Sequence, residues 1–135
     1  RGGLAPTFAG FVAQLLRERN LDTLTMVPSP PRPTVKRRRA WEHVQEIVRV
    51  LEKMHGIRAI PLLYRRGGKA QKKLDYHGRR ENMRGRIAAR RRWTVPSRLV
   101  FFDDVFTTGA TADECAAVLK RIGAERVDAI TLAMD

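Results

Sequence analysis

Leu99-Val100-Phe101-Phe102-Asp103-Asp104-Val105-Phe106-Thr107-Thr108-Gly109-Ala110-Thr111 decides the fold. A run of bulky apolar residues stops at two adjacent carboxylates. Thr, Thr, Gly, Ala and Thr follow shortly, and a helical pattern then begins. Leu99 to Phe102 is short and apolar, which predicts a strand covered on both faces. Asp103 and Asp104 are expected where that strand leaves the sheet, and open α/β sheets bind ligands at the carboxyl ends of their strands. Two neighbouring carboxylates repel when dry, so they call for hydroxyl donors or a hydrated divalent cation. Thr107 to Thr111 offers backbone N–H groups, hydroxyls and a glycine that permits close approach. The helix expected over Ala112 to Ile122 directs its positive end at this loop. A phosphate on the loop and a sugar on the carboxylates suit this order. An ordinary strand-turn-helix junction with Thr111 as the N-cap would account for Thr111 and Gly109, but not for the acid pair.

Outward from this stretch, strand and helix patterns alternate. Leu4 to Arg19 carries Leu4, Phe8, Phe11, Val12, Leu15 and Leu16 at helical spacing. Leu24 to Val27 is a short apolar strand that runs into Pro28-Ser29-Pro30-Pro31. Arg39 to Met54 predicts an amphipathic helix with Trp41, Val44, Ile47, Val48, Leu51 and Met54 on one face, ended by Gly56. Ile57 to Tyr64 reads as a strand in which Pro61 demands an edge or an irregularity. Residues 65–85 read as a long polar loop, and Arg86 to Ala89 as a short strand. Gly123 caps the helix after the acid pair, and Val127 to Leu132 is a last strand. The alternation predicts an α/β fold with a mainly parallel central sheet.

The chain has 135 residues, of which 43% are apolar, and it carries a formal net charge of +13 with a pI near 11.3. That size suits one domain spanning residues 1–135. The charge points to polyanionic partners. It is concentrated in Arg32, Lys36, Arg37, Arg38 and Arg39, and again from Arg65 to Arg92, where only Asp75 and Glu81 oppose it. The second cluster reads as a basic lid over an anion, as a solvated loop, or as part of a nucleic-acid surface. Cys115 is the single cysteine, so no internal disulfide forms. It shares a helical face with Val118, Leu119 and Ile122, which marks a small core residue. His43, His55, His77 and Cys115 have no metal-ligand spacing. No signal-peptide pattern or long apolar span is present, and a cytoplasmic location is expected.

The pattern acid-acid-x-x-Thr-Thr-Gly-x-Thr resembles the phosphoribosyl pyrophosphate (PRPP) signature of type I phosphoribosyltransferases. Val27-Pro28-Ser29-Pro30, Arg39-Ala40-Trp41, Gln71-x-x-Leu74, Arg80-Glu81-Asn82 and Gly85 narrow the resemblance to the ComF/GntX family, over residues 24–135. The resemblance implies a three-layer phosphoribosyltransferase fold. It implies that Asp103 and Asp104 hold the ribose hydroxyls in the catalytic centre, with Mg²⁺ held nearby, in part through water. Thr107, Thr108, Gly109, Ala110 and Thr111 would cradle the 5′-phosphate. Pro28, Ser29, Pro30 and Arg39 would meet pyrophosphate, in a loop that is often strained in this fold. Gln71, Arg80 and Asn82 would belong to the flexible loop. The cysteine-rich zinc segment that often opens family members is absent from this sequence.

Where the family has Gly, Asn and Gln after the arginine, this chain has Ala40, Glu42 and His43. Thr107 stands where purine-using relatives often carry an Asp able to act as a base. The implied reaction moves a phosphoribosyl group between pyrophosphate and a nitrogenous base, with PRPP, pyrophosphate and a nucleobase-like molecule as partners. A second reading keeps the fold but not the chemistry: a module that binds single-stranded DNA or senses PRPP in DNA uptake. Homodimers are common in the fold, membranes are not expected as partners, and the acceptor base is not legible.

Overall fold

The computed structural model describes residues 3–31, 35–66, 86–106 and 110–134. Its elements are α1 (Ala5–Glu18), β1 (Thr25–Pro28), α2 (Val35–His55), β2 (Leu63–Arg65), β3 (Ile87–Ala89), β4 (Arg98–Phe106), α3 (Ala110–Arg121) and β5 (Arg126–Met134). β1, β4 and β5 form a parallel sheet in that order. β2 and β3 form a separate antiparallel hairpin. The α/β layering expected from the alternation is present.

β4 is the central strand, and its alternation divides the core. Val100 and Phe102 face α1 and α2, in a cluster with Met26, Val44, Ile47 and Leu51. Leu99 and Phe101 face α3 and the hairpin, in a cluster with Val27, Cys115, Val118 and Leu119. A strand covered on both faces must be apolar at consecutive positions, which is why Leu99 to Phe102 shows no polar alternation.

Two connections leave the sheet in opposite directions. β1 leads through α2 to residues 57–60, which return beside β1. There Met26 N donates to Arg58 O at 2.8 Å and Ile60 N donates to Met26 O at 2.9 Å. β4 leads through α3 to β5 on the other side. The boundary between β1 and β4 is therefore a switch point, where two paired strands lead into opposite crossovers, the place at which open α/β sheets form a ligand crevice.

The helices end as their sequences direct. Gly56 has φ 67° and Gly123 has φ 129°, both unfavourable for a side chain. Ala124 N donates to Leu119 O at 3.0 Å, which closes the last turn of α3 in a Schellman bond. Lys120 and Arg121 lie in that turn, where the helix dipole favours cations.

Several expectations require correction. The strand around Phe102 does not end before the acids: it continues to Phe106, because β5 pairs with it up to Met134. Ile57 to Tyr64 is not one strand. It is a single bridge at Ala59 and, beyond Pro61, the short β2. Proline has no N–H for a ladder, so the segment breaks there. α2 starts at Val35 rather than at Arg39. α3 starts at Ala110, so Thr111 lies inside the helix and is not its N-cap.

In α1 the buried face is Ala5, Ala9, Val12, Ala13 and Leu16, whereas Leu4 and Phe11 are 63% and 62% exposed. Small residues let α1 lie close against α2, and that contact outranks side-chain size. Met54 and Ile122 are likewise exposed rather than buried. Both lie in or just past the last turn of a helix, beyond the apolar stripe. No helix among the described residues is long and apolar enough to cross a membrane.

Candidate functional site

The crevice between the ends of β1 and β4 gathers part of the predicted site. Pro28 is the last residue of β1 and pairs with Phe102. The ladder then continues one step by other means. Ser29 N donates to Phe102 O at 2.8 Å, and Ser29 Oγ donates to Asp103 Oδ1 at 3.0 Å. One serine thus binds two consecutive residues of β4, at the point where the chain after β1 starts to leave the sheet.

Ser29 and Asp103 are 2% and 3% exposed. They are the only buried polar side chains besides Thr25 among the described residues. A carboxylate at that depth costs several kcal/mol unless hydrogen bonds compensate, on the order of 1.5–3 kcal/mol for each bond to a charged group. The Ser29 hydroxyl provides one such bond. The alternation of β4 sets its direction: Asp103 follows Leu99 and Phe101 on the α3 face.

The other predicted residues fall as follows. Pro30 is buried after Ser29, and Arg39 is exposed in α2, at the end nearer the β1 loop. Asp104 follows Asp103 in β4, and Ala110 and Thr111 open α3. Thr107, Thr108 and Gly109 lie outside the described residues, as do Gln71, Arg80 and Asn82. Among the described residues of the loop after β1, Ser29 to Pro31, none has positive φ.

One contact was not legible in the sequence. Arg65 Nε donates to Pro31 O at 3.1 Å, which ties the end of β2 to the loop after β1. In the sequence Arg65 is one cation among many in a basic run, and nothing in its spacing marks it.

The donor set suits a magnesium ion that arrives with a phosphorylated ligand. Carboxylate oxygens are hard donors, and Mg²⁺ is usually held by one or two of them plus waters and substrate phosphates. Among the described residues no group of three or more His, Cys, Asp or Glu stands ready to cage a metal alone.

Neither a family model nor a curated protein matches the sequence. Solved structures do match the fold. The allosteric regulatory enzyme of purine biosynthesis superposes with a TM-score of 0.58 at 18% identity, over 95% of this chain and 25% of that one. A purine phosphoribosyltransferase from Pyrococcus horikoshii Ot3 gives 0.57 at 19% identity, over 99% and 76%. A hypoxanthine phosphoribosyltransferase from Staphylococcus aureus gives 0.56 at 7% identity, over 97% and 63%. The chain thus spans a quarter of the first of these proteins and about two thirds of the third. At such identities the likeness concerns the fold, and the fold is that of the type I phosphoribosyltransferases.

Proposed function

We propose that this chain binds PRPP with Mg²⁺ and is a phosphoribosyltransferase of the ComF type, which moves a 5-phosphoribosyl group between pyrophosphate and a nitrogenous base. The observation that carries the reading is the Ser29–Asp103 bond at the switch point, on a strand whose sequence continues into Asp104 and Thr107-Thr108-Gly109-Ala110-Thr111. The acid pair stands toward the carboxyl end of the central strand, where open α/β sheets bind ligands, and sugar hydroxyls are donors that carboxylates accept from.

In this proposal Asp103 and Asp104 fix the ribose and add negative potential beside the cationic centre that develops as pyrophosphate leaves. The residues from Thr107 to Thr111 receive the 5′-phosphate at the start of α3, where N–H groups and the helix dipole favour an anion. Pro28, Ser29, Pro30 and Arg39 border the pyrophosphate side. When bound, Mg²⁺ neutralises charge on the leaving pyrophosphate. Thr107 has no basic group at neutral pH, so the nitrogen nucleophile is not deprotonated by that side chain.

The test is calorimetric titration with PRPP, with and without Mg²⁺, beside the Asp103→Asn/Asp104→Asn double variant. Binding should require both Mg²⁺ and the acids. With an acceptor base found by screening, turnover in the variant should fall about 10²–10³-fold, the scale for loss of an electrostatic stabiliser. If the wild-type protein does not bind PRPP, or the double variant binds it as well, the transferase reading is wrong and a non-catalytic use of the fold takes its place.

A further inference from the structure

A second site lies at the other end of α3. A groove of about 790 Å³ runs between the β2–β3 hairpin, the 90–95 segment and the C-terminal turn of α3. Tyr64, Trp93, Arg66, Arg90, Arg91 and Arg121 line it, and no carboxylate is among the described residues of its wall. α3 has 12 residues, so its two ends stand about 18 Å apart. The α3 wall of the groove thus lies at the far end of that helix from the crevice at β1 and β4, and the groove approaches the crevice only at Arg66, which follows the Arg65 that reaches Pro31 O.

The lining combines two features that one class of ligand uses together. The first is charge. All four arginines are exposed, and Arg66 and Arg91 have no side-chain partner among the described residues. Arg121 lies 3.8 Å from Glu114 Oε1, with 67% of its side chain exposed, and an exposed pair of this kind is weak.

The second feature is flat surface. The Arg90 guanidinium sits 5.2 Å from the centre of the Tyr64 ring, and that of Arg92 5.6 Å from the Trp93 ring. Arg90 Nε also donates to Pro61 O at 3.1 Å, which fixes the guanidinium over the ring. Planar cations and aromatic faces held in place form stacking platforms for a base. Trp93 Nε1 is buried with no acceptor among the described residues.

We propose that this groove binds a phosphorylated nucleoside, with the base stacked on the Tyr64–Trp93 wall and the phosphate on Arg66, Arg91 and Arg121. Neither the transferase reading nor the acid pair is required for it. A free nucleotide and a nucleotide within a single strand present the same chemistry.

Trp41→Phe leaves Trp93 as the sole tryptophan, so its fluorescence reports the groove. That protein is titrated at several salt concentrations with AMP, with a short oligothymidylate and with inorganic polyphosphate, and the series is repeated in Arg91→Glu/Arg121→Glu. Base-bearing ligands should quench Trp93, and polyphosphate should not. The double reversal should weaken binding at least tenfold. If the ligand is a strand, it should also flatten the log–log salt slope by about 1.4, for two lost phosphate contacts. AMP alone binding identifies a free nucleotide, and the oligonucleotide alone a strand.

Binding that survives the reversal overturns the proposal. So does polyphosphate quenching equal to that of the bases, displacement of the ligand by Mg²⁺ and PRPP, or a self-association that the reversal disperses with no nucleotide retained.

Discussion

The two faces of the sheet do different work. Toward α1 and α2, the face is closed and apolar: Val100, Phe102, Met26 and Ile130 meet two long helices, with Ala9 and Ala13 letting α1 and α2 close on each other. Toward α3, the same strand presents Leu99 and Phe101 and then Asp103, and this face carries both the acid crevice and the arginine groove. A strand has a period of two, so a single residue separates packing from chemistry. Had the acid that bonds Ser29 come one position earlier or later, it would have met the helical pair instead. Beneath α1 and α2 the core holds no buried polar side chain among the described residues, whereas the other face carries Asp103 and the arginine groove.

That comparison breaks most visibly at Phe102. Phe102→Ala removes a fully buried ring from the closed face. The expected cost is about 3–5 kcal/mol of folding stability. Chemical denaturation should show it in the midpoint. Below that transition, PRPP affinity should stay within a few-fold of wild type. A folded Phe102→Ala protein that had lost PRPP affinity altogether would mean that the faces are not separate.

Ser29→Ala comes next. It removes a hydroxyl from a buried carboxylate and should cost about 1–3 kcal/mol. Because Ser29 acts on Asp103, affinity for ribose 5-phosphate should fall more than affinity for pyrophosphate, and Ser29→Thr should restore part of it. Equal losses for both ligands would assign the hydroxyl directly to pyrophosphate.

The smallest effect belongs to the exposed edge. Arg126 Nε and Nη2 donate to Asp128 at 3.2 and 3.4 Å at the start of β5, as an exposed pair at the rim of the α1–α2 side. Arg126→Ala should change stability by less than about 1 kcal/mol, and by less still in high salt. A larger loss in thermal melting would show that the edge of β5 has a structural role that the division into faces omits.

The sequence shows the sheet more clearly than the helical layers. β4 is legible because four consecutive bulky residues have few explanations, and the caps Gly56 and Gly123 are local matters of backbone conformation. The extension of β4 through Asp103 is not legible, since it depends on β5 pairing on one side after β1 has departed on the other. The buried face of α1 is misread where large residues are counted as core: Phe11 looks more like core than Ala9, but close helix packing selects the small residue. The acids and Ser29 are each recognisable in their own motifs. Their bond joins residues 74 positions apart, and no local pattern reports it. The groove hides for the same reason. Arg121 reads as a cation suited to a helix end, and only the packing of the hairpin on α3 brings it beside Tyr64 and Trp93.

The pairing of β1 with β4 also sets a timetable. The first strand of the sheet has its central neighbour some 74 residues downstream, as the Ser29–Asp103 bond records. At roughly 5–20 residues per second of synthesis, that partner is made about 4–15 s later. During that interval α1, β1 and α2 have no sheet to fold upon, and their apolar stripes are open to whatever else is in the cell. Contacts of such long sequence separation slow folding as well. The strand that brings the acids to the crevice is therefore the one whose arrival lets the first half of the chain fold.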